Sequence, residues 1–157
     1  MKKENMMLKT HIALTSLIVI LFLPHISNPL LFSFVAIMAT ILPDADNAFS
    51  SAGTSMLARI LQFFVRHRGI IHSLTLCIVL SVILTFIWPV VSLPFFLGFS
   101  FHIFLDSFTK EGVTPFWPYR KMSSWHFKTG GRMETSLFVV LVLVDLIALV
   151  MYFQRLV

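Results

Sequence analysis

Thiols and charges are both scarce in this sequence. Cys77 is the only cysteine among 157 residues, so no internal disulfide can form and no cysteine-rich metal site can be built. It lies in an apolar run and reads as filler. Charged residues make up 12% of the chain against 57% hydrophobic, with a mean hydropathy of +0.89. That balance falls outside the usual soluble range and belongs to an integral membrane protein of one small domain, residues 1–157. Internal repeats and low-complexity tracts are absent. The net charge of +5 raises the question of nucleic acid, but the basic residues stand in short segments beside apolar runs. With no continuous basic patch and no recognised motif, no nucleic-acid partner is expected. A clear small-x-small cleavage site is also missing after the start MKKENMMLKTHIALTSLIVILFL, so this stretch reads as a retained first membrane segment rather than a signal peptide.

What is present is a series of apolar runs separated by polar or proline-rich breaks. The pattern predicts an all-α, polytopic membrane bundle of about five spans, near residues 11–23, 29–42, 70–88, 93–108 and 135–153. The first two runs are short, and form either two tilted spans or a hairpin that does not cross fully. Pro89 to Pro94 reads as a turn between the third and fourth spans. Two polar loops are expected at residues 43–69 and 109–134. The first contains a short amphipathic piece, Met56 to Val65. The second carries Phe116, Trp117, Tyr119 and Trp125, rings that suit a membrane interface and would roof whatever lies beneath them. Eleven of the twelve Lys and Arg residues fall on one side of this arrangement and only Arg155 on the other. Cytoplasmic loops are enriched in Lys and Arg, so the N-terminus and both polar loops are expected on the cytoplasmic face.

This topology brings the chain's chemistry to one place. His102 and Asp106, four residues apart in GFSFHIFLDSFT, share a face of the fourth helix. His11 opens the first span, Asp44 and Asp46 end the second in LPDAD, and His67 and His72 lead into the third in HRGIIHS. Four histidines and three aspartates therefore converge on the cytoplasmic side. Imidazoles and carboxylates without thiolates are the ligand chemistry of zinc, manganese or iron, and more than four donors leaves room for one ion or two. Each residue also has a plainer reading. His102 and Asp106 could be a hydrogen-bonded pair, and Asp44 and Asp46 a helix stop or Asx-turn. His67, between Arg66 and Arg68, could be an interfacial loop residue or part of an anion-binding group. His11, after Thr10, could cap its helix. Ser73 and Ser107 flank these residues without any nucleophile motif, and helix back-bonding suits them better. Asp145, in the middle of the last span, either pairs with another span or marks a polar pathway. His25 and His126 lie in loops without a nameable partner.

The ordered set Thr10-His11, LPDAD, HRGIIHS, GFSFHIFLDSFTKEG and PFWPY resembles the YdjM-like family of bacterial membrane-bound metal-dependent hydrolases. The resemblance runs from Thr10 to Tyr119, and the last span is generic. Ile71 stands where a threonine is expected, and Phe101 where a small residue often precedes the histidine. By motif position, the resemblance implies metal residues at His11, Asp44, Asp46, His67, His72, His102 and Asp106. A more distant similarity to zinc-dependent phospholipase C and P1-type nucleases implies phosphoester hydrolysis. The resulting expectation is a multi-pass enzyme of the bacterial inner membrane. One or two divalent ions, zinc with manganese as the alternative, activate water against a lipid or lipid-linked phosphate. In that scheme His11, Asp44, His72, His102 and Asp106 hold metal, His67 or Asp46 serves as general base, and Arg66 and Arg68 receive the anionic substrate. Two other classes stay open. One is a metal-binding or transporting membrane protein without hydrolysis, with Asp145 on its pathway; the other is a structural protein whose polar cluster stabilises the bundle.

Overall fold

The computed structural model describes residues 4–44, 68–110, 112–119, 121–125 and 130–155, with backbone alone at residues 4–7, 68 and 69. Among these, α1 spans Glu4–Phe22, α2 Pro29–Ile41, α3 Arg68–Ile71, α4 Leu74–Ile87, α5 Pro89–Asp106 and α6 Arg132–Gln154. Short 3-10 turns, Leu23–His25 and Leu42–Asp44, end the first two helices. Five long helices and no strand among the described residues make this the expected all-α bundle, and three stretches, Leu8–His25, Pro89–Asp106 and Arg132–Gln154, are long and apolar enough to cross a membrane.

Helix α1 starts at Glu4 rather than near residue 11, so His11 lies inside the helix rather than at its opening, and α6 starts at Arg132 rather than near 135; two further boundaries depart from the sequence expectation. Residues 89–94 are helix rather than turn, and α4 and α5 are joined at Trp88 alone. Pro89 occupies the first turn of α5, where its missing N–H costs nothing. Pro94 lies inside the helix and is fully buried; neighbouring helices make such an interruption tolerable in a membrane segment. The third apolar run, by contrast, is cut short. It breaks at His72 and Ser73, so α4 has only 14 residues, about 21 Å of rise against a hydrocarbon core of about 30 Å. Ser73 causes the break. It is extended (φ −122°, ψ 138°), its Oγ accepts from Leu76 N and donates to Ile70 O at 2.6 Å, and an N-cap of this kind starts a new helix.

Helix α5 is the centre of the bundle, packed against α2 and α4 and touching α1, while α6 leans on α1. In lipid the helices gain little from the hydrophobic effect, so small residues that permit close approach carry much of the packing. Ala36 and Ala39 of α2 face Gly98 of α5 in this way: a Cβ added at Gly98 would lie 2.0 Å from the Ala36 carbonyl oxygen. Two buried groups flank this contact, Ala39, Cys77, Phe99 and Ile103 on one side and Val19, Phe32 and Ala36 on the other. Cys77 is indeed packing material, wholly buried in the first group. Outward faces are apolar and exposed, as at Leu30, Phe86 and Ile147, which is the surface a bilayer requires.

Hydroxyl groups tie the helices together at two depths. Thr15 and Thr40 join α1 to α2 through their Oγ1 atoms at 2.8 Å, and Thr40 donates to Ala36 O at 2.8 Å with Gly98 O at 3.3 Å. Near the α4–α5 connection, Ser92 donates to Ser81 O at 2.7 Å, and Thr85 and Ser92 meet at 2.8 Å. The described residues among 109–125 fold over the opposite end. Val113 and Ser123 form an antiparallel bridge, and Trp125 N donates to Thr109 O. Pro115 O accepts from Leu74 N and Thr75 N, satisfying two backbone donors at the start of α4 that have no partner within the helix.

Candidate metal centre

Among the described residues, four helical segments bring candidate chemistry to the same end of the bundle. α1 contributes His11 from its first half, and the turn after α2 contributes Asp44. The break between α3 and α4 presents His72, and the last turn of α5 brings His102 and Asp106. One atom from each of Asp44, His72, His102 and Asp106 lies within 4.8 Å of all the others. The expected i, i+4 pair is realised, with His102 Nε2 3.3 Å from Asp106 Oδ2. His102 Nε2 also lies 3.7 Å from Asp44 Oδ1. His72 Nε2 stands 3.7 Å from the same Asp44 oxygen and 3.9 Å from Asp106 Oδ2.

His11 is placed beside this group rather than within it. Its Nε2 faces the other oxygen of Asp106, Oδ1, at 3.2 Å, and its ring stacks on His102 with centroids 4.2 Å apart. Asp106 is thus shared, one oxygen toward His102 and His72 and the other toward His11. A histidine on the far oxygen of a ligating carboxylate is the usual outer support that fixes that carboxylate's orientation. Sequence spacing marked His11 as relevant without distinguishing these positions.

The donor set suits a metal ion on three counts. Two imidazoles and two carboxylates form a site for zinc or a harder divalent ion. Ligands about 2.1 Å from a tetrahedral zinc lie about 3.4 Å from one another; the four histidine–carboxylate separations run from 3.3 Å to 3.9 Å, within a group whose atoms all lie within 4.8 Å of one another. Finally, His102 is fully buried, yet neither of its ring nitrogens has a hydrogen-bond partner among the described residues, and His72 Nδ1 is in the same condition. Buried polar atoms left this way cost about 1–3 kcal/mol each, and coordination at His102 Nε2 would remove that cost for the one atom that faces the other three groups. Exposure rises across the site from His102 at 0% and Asp106 at 16% to Asp44 at 34%, so the centre opens on the Asp44 side. Burial pushes the Asp44 carboxyl up, but the adjoining His72 and His102 imidazoles outweigh it and hold the group below its ordinary range.

The remaining candidates sort as follows. Asp46, Arg66, His67, the Met56 to Val65 piece and His126 lie outside the described residues, as does the side chain of Arg68. Ser107 back-bonds to Phe104 O at 2.6 Å, and Ser73 caps α4, so neither is arranged as a nucleophile. His25 is exposed in the turn after α1. Asp145 carries a buried Oδ1 without a hydrogen-bond partner among the described residues. One residue escaped the sequence reading: Glu134, 7% exposed at the start of α6. Its Oε1 lies 3.5 Å from the Thr10 hydroxyl and its Oε2 accepts from Gly130 N at 2.5 Å. This fastens α6 to the residue preceding His11. A carboxylate opening a long apolar run was the available signal.

The fold and the cluster define a class, a polytopic α-helical membrane protein with a His/Asp centre buried at one end of its bundle. A family model described as YdjM inner membrane protein matches residues 6–156. The chain belongs to that family, which makes it a protein of the inner membrane and extends the resemblance read from its motifs through the last helix. No curated protein and no solved structure matches it.

Proposed function

We propose that this protein is a membrane-bound, metal-dependent hydrolase acting on a phosphoester at the cytoplasmic interface, with a lipid or lipid-linked phosphate as substrate. The observation that carries the reading is the group of four donors, Asp44, His72, His102 and Asp106, built around a buried histidine neither of whose ring nitrogens has a hydrogen-bond partner among the described residues. When bound, a divalent ion supplies Lewis acidity to a water and to a phosphoryl oxygen. The chain's own groups prepare that chemistry. His102 and His72 direct Nε2 inward, Asp106 is held in orientation by His11 on its second oxygen, and Asp44 stands at the open side where substrate would enter. By sequence position alone, the general base falls to His67 or Asp46, and the anion clamp to Arg66 and Arg68. Exposed aromatics at Phe116, Tyr119 and Trp125 sit on the loop tied to α4, an arrangement suited to headgroup depth.

The test is the metal content of detergent-purified protein, wild type beside His102→Ala/Asp106→Ala, followed by a screen of aryl phosphodiesters and of phosphatidic acid in mixed micelles. Stoichiometric zinc or manganese that disappears in the double variant, together with a chelator-sensitive hydrolysis, supports the proposal. A wild type that holds no divalent ion would refute it. A second reading, metal binding or transport without hydrolysis, draws on Asp145, whose buried carboxylate oxygen has no hydrogen-bond partner among the described residues. Metal uptake into proteoliposomes that depends on Asp145, with no hydrolysis of any phosphoester, would favour it.

A further inference from the structure

We infer that Thr15 and Thr40 form a positioning layer for the metal centre, setting the rotation of the helices that present His11, Asp44 and His102. The inference rests on the metal reading above and concerns residues that no motif marks. It begins from a coincidence of spacing. Thr15 lies four residues after His11 on α1, Thr40 four residues before Asp44, and Gly98 four residues before His102 on α5. Residues four apart share a face of a helix. His11 and His102 therefore each have, one helical turn farther from the mouth, a partner on the same face, and Thr40 stands in the last turn of α2, just before the 3-10 turn that carries Asp44.

Thr15, Thr40 and Gly98 are joined by contacts. The Thr15 and Thr40 hydroxyls meet at 2.8 Å, and Thr40 Oγ1 lies 2.8 Å from Ala36 O and 3.3 Å from Gly98 O. Either hydroxyl can be the donor between the two, and the Thr40 hydroxyl also reaches the Ala36 and Gly98 carbonyls. The layer is dry, with Thr15 at 1% and Thr40 at 0% exposure. Gly98 allows α5 to come close enough for the shared bond, since any Cβ there would meet the Ala36 carbonyl. Three helices are thereby locked by polar contacts at one depth, immediately under the donors they carry.

Leverage makes this matter for the site. A side-chain tip stands about 5–6 Å from its helix axis, so a rotation of about 10° moves it by about 1 Å. Metal–ligand distances tolerate about 0.2 Å. Apolar packing alone accepts slippage of that size, whereas a 2.8 Å hydrogen bond between two helices does not. Thr15 and Thr40 are positioning residues in this scheme, since neither approaches the donors themselves.

The experiment is a Co2+ titration of full-length protein in detergent, followed by visible absorbance, for wild type, Thr15→Val, Thr40→Val and Thr40→Ser. Valine keeps the shape of threonine and removes the hydroxyl; serine restores it. Both valine variants should bind Co2+ about tenfold more weakly with an altered ligand-field spectrum, and Thr40→Ser should recover the wild-type values. Unfolding temperature in chelator separates this from a general loss of stability, because a purely structural role would lower that temperature and leave affinity and spectrum unchanged. Valine variants that match wild type in both would overturn the inference and leave the metal reading intact. A wild type that binds no Co2+ overturns the metal reading and this inference with it. Should Thr40→Val fail to fold, Thr15→Val decides the matter alone, because it leaves the bonds from Thr40 to Ala36 and Gly98 in place.

Discussion

Replacing His102 by leucine should move two measurements in opposite directions. His102 is one of four residues that could hold a metal ion. Four-ligand zinc sites bind with about 10–16 kcal/mol, so an even share is about 3 kcal/mol, or roughly a hundredfold in affinity. Without metal the balance reverses. Leucine is of similar bulk and carries no polar atoms, so it removes two buried nitrogens that lack hydrogen-bond partners among the described residues, worth about 1–3 kcal/mol each. Against this, Asp106 loses a neighbour at 3.3 Å while keeping His11 at 3.2 Å. A net gain of about 1–2 kcal/mol corresponds to a rise in unfolding temperature of about 2–6 °C for a chain of this size. The assay is zinc affinity by competition with a chromophoric chelator, paired with thermal unfolding in detergent containing excess chelator. If metal-free His102→Leu unfolds at a lower temperature than wild type, His102 is a structural partner of Asp106. The account of an ion-ready site then fails.

Gly98→Ala should destabilise the bundle by about 1–3 kcal/mol or more, because its methyl would meet the Ala36 carbonyl where neither backbone can retreat; thermal unfolding checks this. Glu134→Ala should cost about 1–3 kcal/mol by leaving Gly130 N and the Thr10 hydroxyl without an acceptor they use. Limited proteolysis of the loop before α6 should accelerate in the same variant. Asp145→Leu should leave zinc affinity unchanged and raise the unfolding temperature, since it removes a buried carboxylate oxygen that has no hydrogen-bond partner among the described residues from an apolar helix. A fall in zinc affinity there would tie Asp145 to the metal centre.

Much of the site was legible because its chemistry is rare in this chain. With only six histidines and seven acidic residues, their appearance at run ends on one side of a bundle is informative, and the HxxxD spacing fixes its own geometry. The division of labour between His11 and the four inner donors was not legible, because it depends on which oxygen of Asp106 each imidazole meets. Pro89 and Pro94 misled for a different reason. Proline reads as punctuation when water is assumed nearby, but at the first turn of α5 it loses nothing, and inside a packed membrane helix its missing bond is tolerated. Ser73 had the reverse effect, since a hydroxyl in an apolar stretch reads as neutral, yet as an N-cap it divides one run into two helices and places His72 in the gap. Thr15 and Thr40 were passed over because nothing in a single run distinguishes a hydroxyl that bridges helices from one that back-bonds within its own.

The four inner donors and His11 come from the regions of residues 11, 44, 72 and 102–106, in order along the chain. During synthesis they leave the ribosome in four instalments, and the centre cannot exist until α5 has turned back beside α2 and brought the last of them home. α6 adds no donor; it arrives afterwards, and Glu134 at its head latches onto Thr10, the residue before His11. An ion captured at that stage would act as a rivet, joining the turn after α2 to the last turns of α5, and an ion captured sooner would find only half a claw.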